Sequence, residues 1–267
     1  MIDISAFKGE IPKLSDKLLP DNYASSAINC NMETGALEPI KGVTSVKDLD
    51  EAAETIYRQG EQWLQWNNKI DIIKSLVYNS GGRILFTGDN YPQETNIVLA
   101  LSGEGPYPTT TRRLGIAAPA AAPNYSIEVV GSGDDREVAY CYTVIGEWED
   151  GSVTESAPSP STEVFTAKDD STVRITNFVE PTETGTYFTH YRIYRINTGN
   201  TGAEYQYVDY IAKDADPLQY DDTEADDDLG EVLPTTDWTA PIDNLHGLKV
   251  ASNGLVFGFN GNTVYVS

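Results

Sequence analysis

Apolar positions along this chain recur mostly at two-residue spacing, in short runs that glycine, proline or asparagine soon interrupt. Glu137–Glu147 places Val138, Tyr140, Tyr142 and Val144 on one face. Ser171–Asn177 points Val173 and Ile175 inward, and His190–Asn197 sets Tyr191, Ile193 and Arg195 against Arg192, Tyr194 and Ile196. Tyr125–Val130 and Tyr205–Ile211 add further runs. Alternation over so few residues predicts strands rather than helices. Upstream, Thr55–Tyr57, Gln62–Trp66, Ile70–Tyr78 and Arg83–Thr87 read as short strands, the last two separated by a Gly81-Gly82 turn. Thr154–Pro160 reads as an edge segment, where missing N–H donors do no harm. Near the end, Leu248, Val250, Leu255, Phe257 and Phe259 alternate around Asn-Gly turns, predicting two short strands. A hairpin is marginal by itself, so its partners are expected earlier in the chain, in residues beyond it, or in another subunit.

Between these runs the pattern fails. Residues 1–45 carry Gly9, Pro12, Pro20, Gly35, Pro39 and Gly42, too much punctuation for long elements. They predict an extended arm that drapes over another surface, with a short helical turn at Asp21–Asn29 and with Ala24, Ala27, Ile28 and Leu37 as anchors. A helix is expected near Ser45–Thr55, a surface loop over 88–111, and a stiff linker at 116–123, IAAPAAAP. Residues 124–233 then read as one compact β-sandwich. Within it, Asp214–Glu231 is expected to be a connector, because so much like charge resists close packing.

Composition narrows the function classes. Hydrophobic content of 40% in 267 residues supports a true core. The 41 acidic against 18 basic residues, a formal charge of −23, argue against a protein that coats duplex DNA. The same balance suits a solvated acidic surface, or a conduit wall along which DNA slides without sticking. Cys30 and Cys141 are too few for a disulfide-dense secreted scaffold, and Cys141 reads as a small buried hydrophobe. No apolar run approaches a membrane span, and the start of the chain lacks the basic and apolar blocks of a signal peptide. These features predict a protein that stays inside the producing cell until assembly.

Candidate chemistry is sparse. His190 and His246 are the two histidines, and no His-x-x-x-His or Cys-x-x-Cys spacing points to zinc. Cofactors and catalytic residues are therefore expected to be none. Asp221, Asp222, Asp226 and Asp228 are weak calcium candidates in a run without the EF-hand spacing. Among the aromatics, Trp63 and Trp66 suit ordinary packing, while Trp148, flanked by Glu147, Glu149 and Asp150, is expected to be an exposed contact.

Two resemblances organise these observations. AYCYTVIGEWEDGSVTESAPSPSTEV resembles a fibronectin type III-like domain through Tyr140, Tyr142, Gly151, Glu155, Ser156, Pro158 and Ser159, followed by HYRIYR at His190–Arg195. The flanks resemble nozzle or tail-tubular proteins of short-tailed bacteriophages. The matching positions are Gly9, Leu19, Pro20, Ala27, Asn29, Gly35, Leu37 and Pro39 within Phe7–Gly42, together with the region Asp228–Ser267. The resemblances imply an all-β chain, a fibronectin type III/immunoglobulin-like sandwich (124–233) inserted into a propeller-like or irregular β scaffold. That scaffold comprises 46–116 and the returning hairpin 234–267, preceded by the arm 1–45. They imply a non-enzymatic structural virion protein, assembled in the host cytoplasm as a homo-oligomeric ring with other tail or connector proteins. Phage DNA would pass through without sequence-specific binding. Phe7, Leu19, Ala27, Leu37, Trp148, Phe257 and Phe259 are the interface candidates. A receptor- or glycan-binding module, with an aromatic groove near Trp148 or Tyr187, is the alternative; a polysaccharide-degrading enzyme is a distant third.

Overall fold

The computed structural model describes residues 6–78, 80–199 and 202–267. It is mostly β-strand in several sheets, and helix among the described residues amounts to one four-residue α-turn and one 3-10 turn. The chain divides into two compact units, Met1–Asp48 and Leu49–Ser267.

The first unit is tied by backbone bonds rather than by a core. Its strands β1 (Cys30–Asn31) and β2 (Glu38–Pro39) pair antiparallel. Phe7 N–H donates to Gly35 O at 2.8 Å, and Ala24 N–H to Gly9 O at 3.1 Å. No described residue up to Asp48 is buried. Asp21–Asn29 forms turns and a bridge, not the expected helical turn. The helix expected near Ser45–Thr55 is also absent: Asp50 Oδ1 accepts from Ala52 N–H at 3.0 Å, a local turn that competes with helix.

The second unit opens with a hairpin, β3 (Thr55–Gln59) and β4 (Gln62–Trp66), then an antiparallel sheet of β5 (Asp71–Lys74), β6 (Ile84–Thr87), β7 (Gln93–Thr95) and β8 (Arg112–Arg113) in that order. Leu64, Ile70, Ile84, Phe86 and Ala100 form its core. The surface loop expected over 88–111 is overturned in part. Residues 92–96 are buried, and the turn α1 (Ile97–Ala100) is capped by Asn96 Oδ1, which accepts from Leu99 N–H at 2.9 Å. The polar sequence Gln93-Glu94-Thr95 hid a strand that lies between two others.

Nine strands follow: β9 (Asn124–Val129), β10 (Asp135–Val138), β11 (Tyr140–Glu147), β12 (Val153–Glu155), β13 (Phe165–Lys168), β14 (Thr172–Thr176), β15 (His190–Gly199), β16 (Gly202–Ala212) and β17 (Tyr220–Asp222). They form one sheet in the order β12-β11-β15-β16, another in the order β17-β14-β9, and a β10-β13 pair. Val138, Tyr140, Tyr142, Val144, Val173, Ile175, Tyr191 and Ile193 meet in one buried cluster, on the faces the alternation assigned. Ile116 joins that cluster, and Ala121 O accepts from Tyr142 Oη at 3.2 Å, so the linker expected at 116–123 is fastened to the core at both places. On the far face of β11, Cys141 packs with Tyr194 and Leu233 as a free thiol, its pKa pushed up to about 12 by burial.

The Pro-rich segment after β12 is fastened by a three-residue repeat. Ser156, Ser159 and Thr162 donate their N–H groups to the carbonyls of Val144, Tyr142 and Tyr140 at 2.8–2.9 Å. Their hydroxyls accept from the N–H groups of the same three residues at 2.9–3.1 Å. Three residues of the segment thus match two of β11, and the two prolines at 158 and 160 fall where no donor is needed.

The end of the chain holds three strands rather than the two expected. These are β18 (His246–Val250), β19 (Val256–Asn260) and β20 (Thr263–Val266), in that order. The second Asn-Gly dipeptide turns β19 into β20. Leu245 and Leu248 pack with Ile73, and Gly247 N–H donates to Asp71 Oδ2 at 2.8 Å, so part of the missing support comes from the β5 region.

Candidate functional site: an arginine–aromatic junction

The turn after β11 brings Trp148 against Arg112 of β8 and Arg83, the residue before β6. Trp148 N–H donates to Ser152 O and Gly151 N–H to Trp148 O, both at 2.9 Å, closing a turn in which Gly151 adopts φ +78°. The indole lies between the guanidinium groups of Arg83 and Arg112, 3.9 and 4.3 Å from the ring centroid. Arg112 also stacks on Tyr187 at 3.5 Å, giving a continuous Arg83–Trp148–Arg112–Tyr187 column. Hydrogen bonds lock the column. Arg83 Nη2 donates to Ser152 Oγ at 2.6 Å, Arg112 Nη1 to Glu147 O at 3.2 Å, and Trp148 Nε1 to Thr154 Oγ1 at 3.2 Å. Asn96 Nδ2 holds Glu149 at 2.9 Å. Trp148 is 3% exposed. Its expected role as an exposed contact is overturned: the neighbouring acids draw arginines from β8 and the start of β6, and those arginines cover the ring.

Beneath the column, Glu94 of β7 is 4% exposed; its backbone pairs with β6 and β8, but its carboxyl group makes no hydrogen bond or ion pair among the described residues. Burial raises its pKa to about 7, against the opposing fields of Arg83 and Arg112. A cavity of about 10 Å³ beside it, lined by Glu94, Trp148, Tyr187 and Gly146 among others, admits at most one water. A Cβ at Gly146 would lie 2.6 Å from Tyr187 O, so only glycine lets the two backbones approach this closely. The arrangement is a closed joint with no room for an organic substrate.

A second polar network explains the acidic run. Arg195 and Asp222 are both fully buried and ion-paired at 2.6 Å; Tyr140 Oη donates to the same carboxylate oxygen at 2.6 Å. Burial lowers the Arg195 pKa, but the adjoining Asp222 carboxylate outweighs it and the net shift is upward. Asp226 pairs with Arg195 at 2.9 Å and Arg136 at 2.6 Å, and Asp221 with Arg174 at 2.7 Å. The connector expected over Asp214–Glu231 is therefore corrected. Arginines neutralise the like charge, and β17 pairs with β14 through Val173↔Asp222. Of the calcium candidates, Asp221, Asp222 and Asp226 are taken up by these arginines, and no group of three or more His, Cys, Asp or Glu suited to a metal forms among the described residues. His190 contacts Thr189 Oγ1 and Tyr210, whereas His246 lies by Phe259 in another sheet.

The other interface candidates sit at the surface or half-buried. Phe7, Leu19 and Ala27 are half-covered and Leu37 exposed in the first unit; Phe257 is half-covered and Phe259 exposed in the terminal sheet. Sequence reasoning missed Arg83, Glu94 and Arg112. Its available signal was Arg112-Arg113, a charged pair with no solvent-facing alternation around it. No helix among the described residues is long and apolar enough to cross a membrane. No protein-family model matches the chain, and no curated protein matches it.

Proposed function

We propose that this chain is a non-catalytic structural component of a phage tail, a nozzle or head-to-tail part that assembles with copies of itself into a ring. The observation that carries the reading is the first unit. None of its described residues is buried, yet it presents large aliphatics to solvent, with Ile28 79% and Val46 78% exposed and Leu18, Ile40 and Val43 exposed as well. A folded segment that leaves so much apolar surface wet is suited to lie on a partner. The terminal sheet adds a second such surface: β20 is a free edge, all four of its residues are exposed, and Val264, Tyr265 and Val266 are apolar. Rings close through heterologous contacts of this kind, one patch on one copy meeting a different patch on the next.

The ordered motifs of Phe7–Gly42 and Asp228–Ser267 supply the phage-tail assignment. In this reading the sheets β12-β11-β15-β16 and β17-β14-β9 form a fibronectin type III-like sandwich carried on a propeller-like scaffold; their shared core supports it. Most arginines are engaged in internal ion pairs, which leaves a surface of net negative charge past which DNA moves without base readout. Other tail or connector proteins complete the assembly in the host cytoplasm. The test is mass photometry of the full chain and of a chain lacking residues 1–42. Rings from the full chain, and monomers from the shortened one, are expected. A full chain that stays monomeric at high concentration, or a shortened chain that still closes into rings, refutes the reading.

A further inference from the structure

One open groove belongs neither to the arginine–aromatic junction nor to the exposed apolar surfaces. It lies within the second unit between the end of β4 and the segment 106–111, has a volume of about 370 Å³, and is lined by Trp66, Asn67, Asn68, Asp89, Gln93 and Tyr107 among others. That volume is at the small end of the range for ligand pockets. We propose that this groove binds a neutral saccharide. The inference rests on the groove alone and stands independently of the assembly proposed above.

The lining has the two features such a ligand requires. Trp66 and Tyr107, both half-buried against the Leu64–Phe86 core, bring aromatic surface to the groove on which the apolar C–H face of a sugar ring can pack. Around them stand side-chain amides and hydroxyls able both to donate and to accept, matching a ring of hydroxyl groups. Asn67 is exposed and has no hydrogen-bond partner among the described residues, so its amide is available to a ligand. The lining includes Asp50 and Asp89 and no lysine or arginine, which disfavours phosphate, sulfate and carboxylated sugars.

The walls are also held in place before any ligand arrives. Gln65 N–H donates to Tyr107 O at 2.8 Å, and Leu64 bridges Tyr107, so β4 carries one wall and clamps the other. The floor is fixed by buried Gln93, whose amide donates to Asp89 O at 3.0 Å and accepts from Thr111 Oγ1 at 2.6 Å. Pro106 and Pro108 restrict the backbone on either side of Tyr107. Little ordering entropy remains to be lost on binding.

The test uses the full chain, with tryptophan fluorescence and saturation-transfer NMR against maltotriose, mannotriose and the N-acetylglucosamine trisaccharide, and a hyaluronan tetrasaccharide as the anionic probe. At least one neutral trisaccharide is expected to bind saturably at millimolar concentration or below, and the anionic probe to bind more weakly. Asn67→Ala, at an exposed position that leaves the core intact, is expected to weaken binding roughly tenfold, the effect of one lost ligand hydrogen bond. Trp66→Phe keeps an aromatic against Phe86 while shrinking the stacking surface, and is expected to weaken binding with an unchanged circular dichroism spectrum. Absence of binding by all three neutral probes at millimolar concentration overturns the proposal. So does equal or tighter binding of the anionic probe, or an affinity untouched by both substitutions.

Discussion

Glu94→Gln isolates the electrostatic cost of the junction. The ordinary carboxyl pKa of 4.5 rises to about 7 in the folded chain because burial disfavours the anion more than Arg83 and Arg112 favour it. Below pH 4.5 Glu94 is protonated both folded and unfolded, and its titration adds no pH dependence. Between pH 4.5 and 7 the unfolded chain releases that proton while the folded chain retains it, so stability falls as pH rises. A shift from 4.5 to about 7, at about 1.4 kcal/mol per unit, sets the loss at about 3 kcal/mol once pH exceeds 7. Glutamine has nearly the shape of the protonated acid and cannot ionise. The variant is therefore expected to match the parent near pH 4 and to exceed it by up to about 3 kcal/mol at pH 8. Urea unfolding followed by tryptophan fluorescence across this range gives the difference curve, and carbon NMR of the Glu94 carboxyl gives the pKa directly. A difference that does not change with pH, or a variant less stable than the parent at pH 8, would show that the arginines outweigh burial and refute the reasoning.

Three further substitutions probe the remaining buried polar contacts. Arg195→Met leaves Asp222 buried beside Tyr140 without its counter-charge, and is expected to cost about 3–5 kcal/mol in chemical denaturation; Tyr140→Phe removes one bond to the same carboxylate and is expected to cost about 1–3 kcal/mol. Ser159→Ala removes the acceptor of Tyr142 N–H while sparing the Ser159 backbone bond, and is expected to cost about 1–3 kcal/mol with faster amide exchange confined to the segment around Tyr142.

Alternation was enough to place the strands that carry the main core. Val138, Tyr140, Tyr142 and Val144, and Val173 and Ile175, lie inward because a two-residue period admits only two registers and one of them buries charge. Cys141 was legible for a related reason, a small apolar side chain within an uninterrupted strand. Three things were not legible. Gln93-Glu94-Thr95 carries no apolar period, so the β7 strand becomes visible only once β6 and β8 stand on either side of it. Trp148 looked exposed because its sequence neighbours are acids; the arginines that cover it come from positions 65 and 36 residues earlier. Asp222 looked solvated because nothing in its own segment could neutralise it.

The residues alone are enough to say that the chain is mostly β, which side chains of its main strands face the core, and that residues 1–45 have no periodic apolar face from which to build a core. Those properties depend on local geometry and on the next few residues. Which charges are buried and which aromatics are covered emerges only in the folded chain. Those outcomes rest on pairings between strands distant along the chain, such as Arg195 with Asp222 and Arg112 with Trp148, and a charge or an indole leaves water only when such a partner arrives from elsewhere.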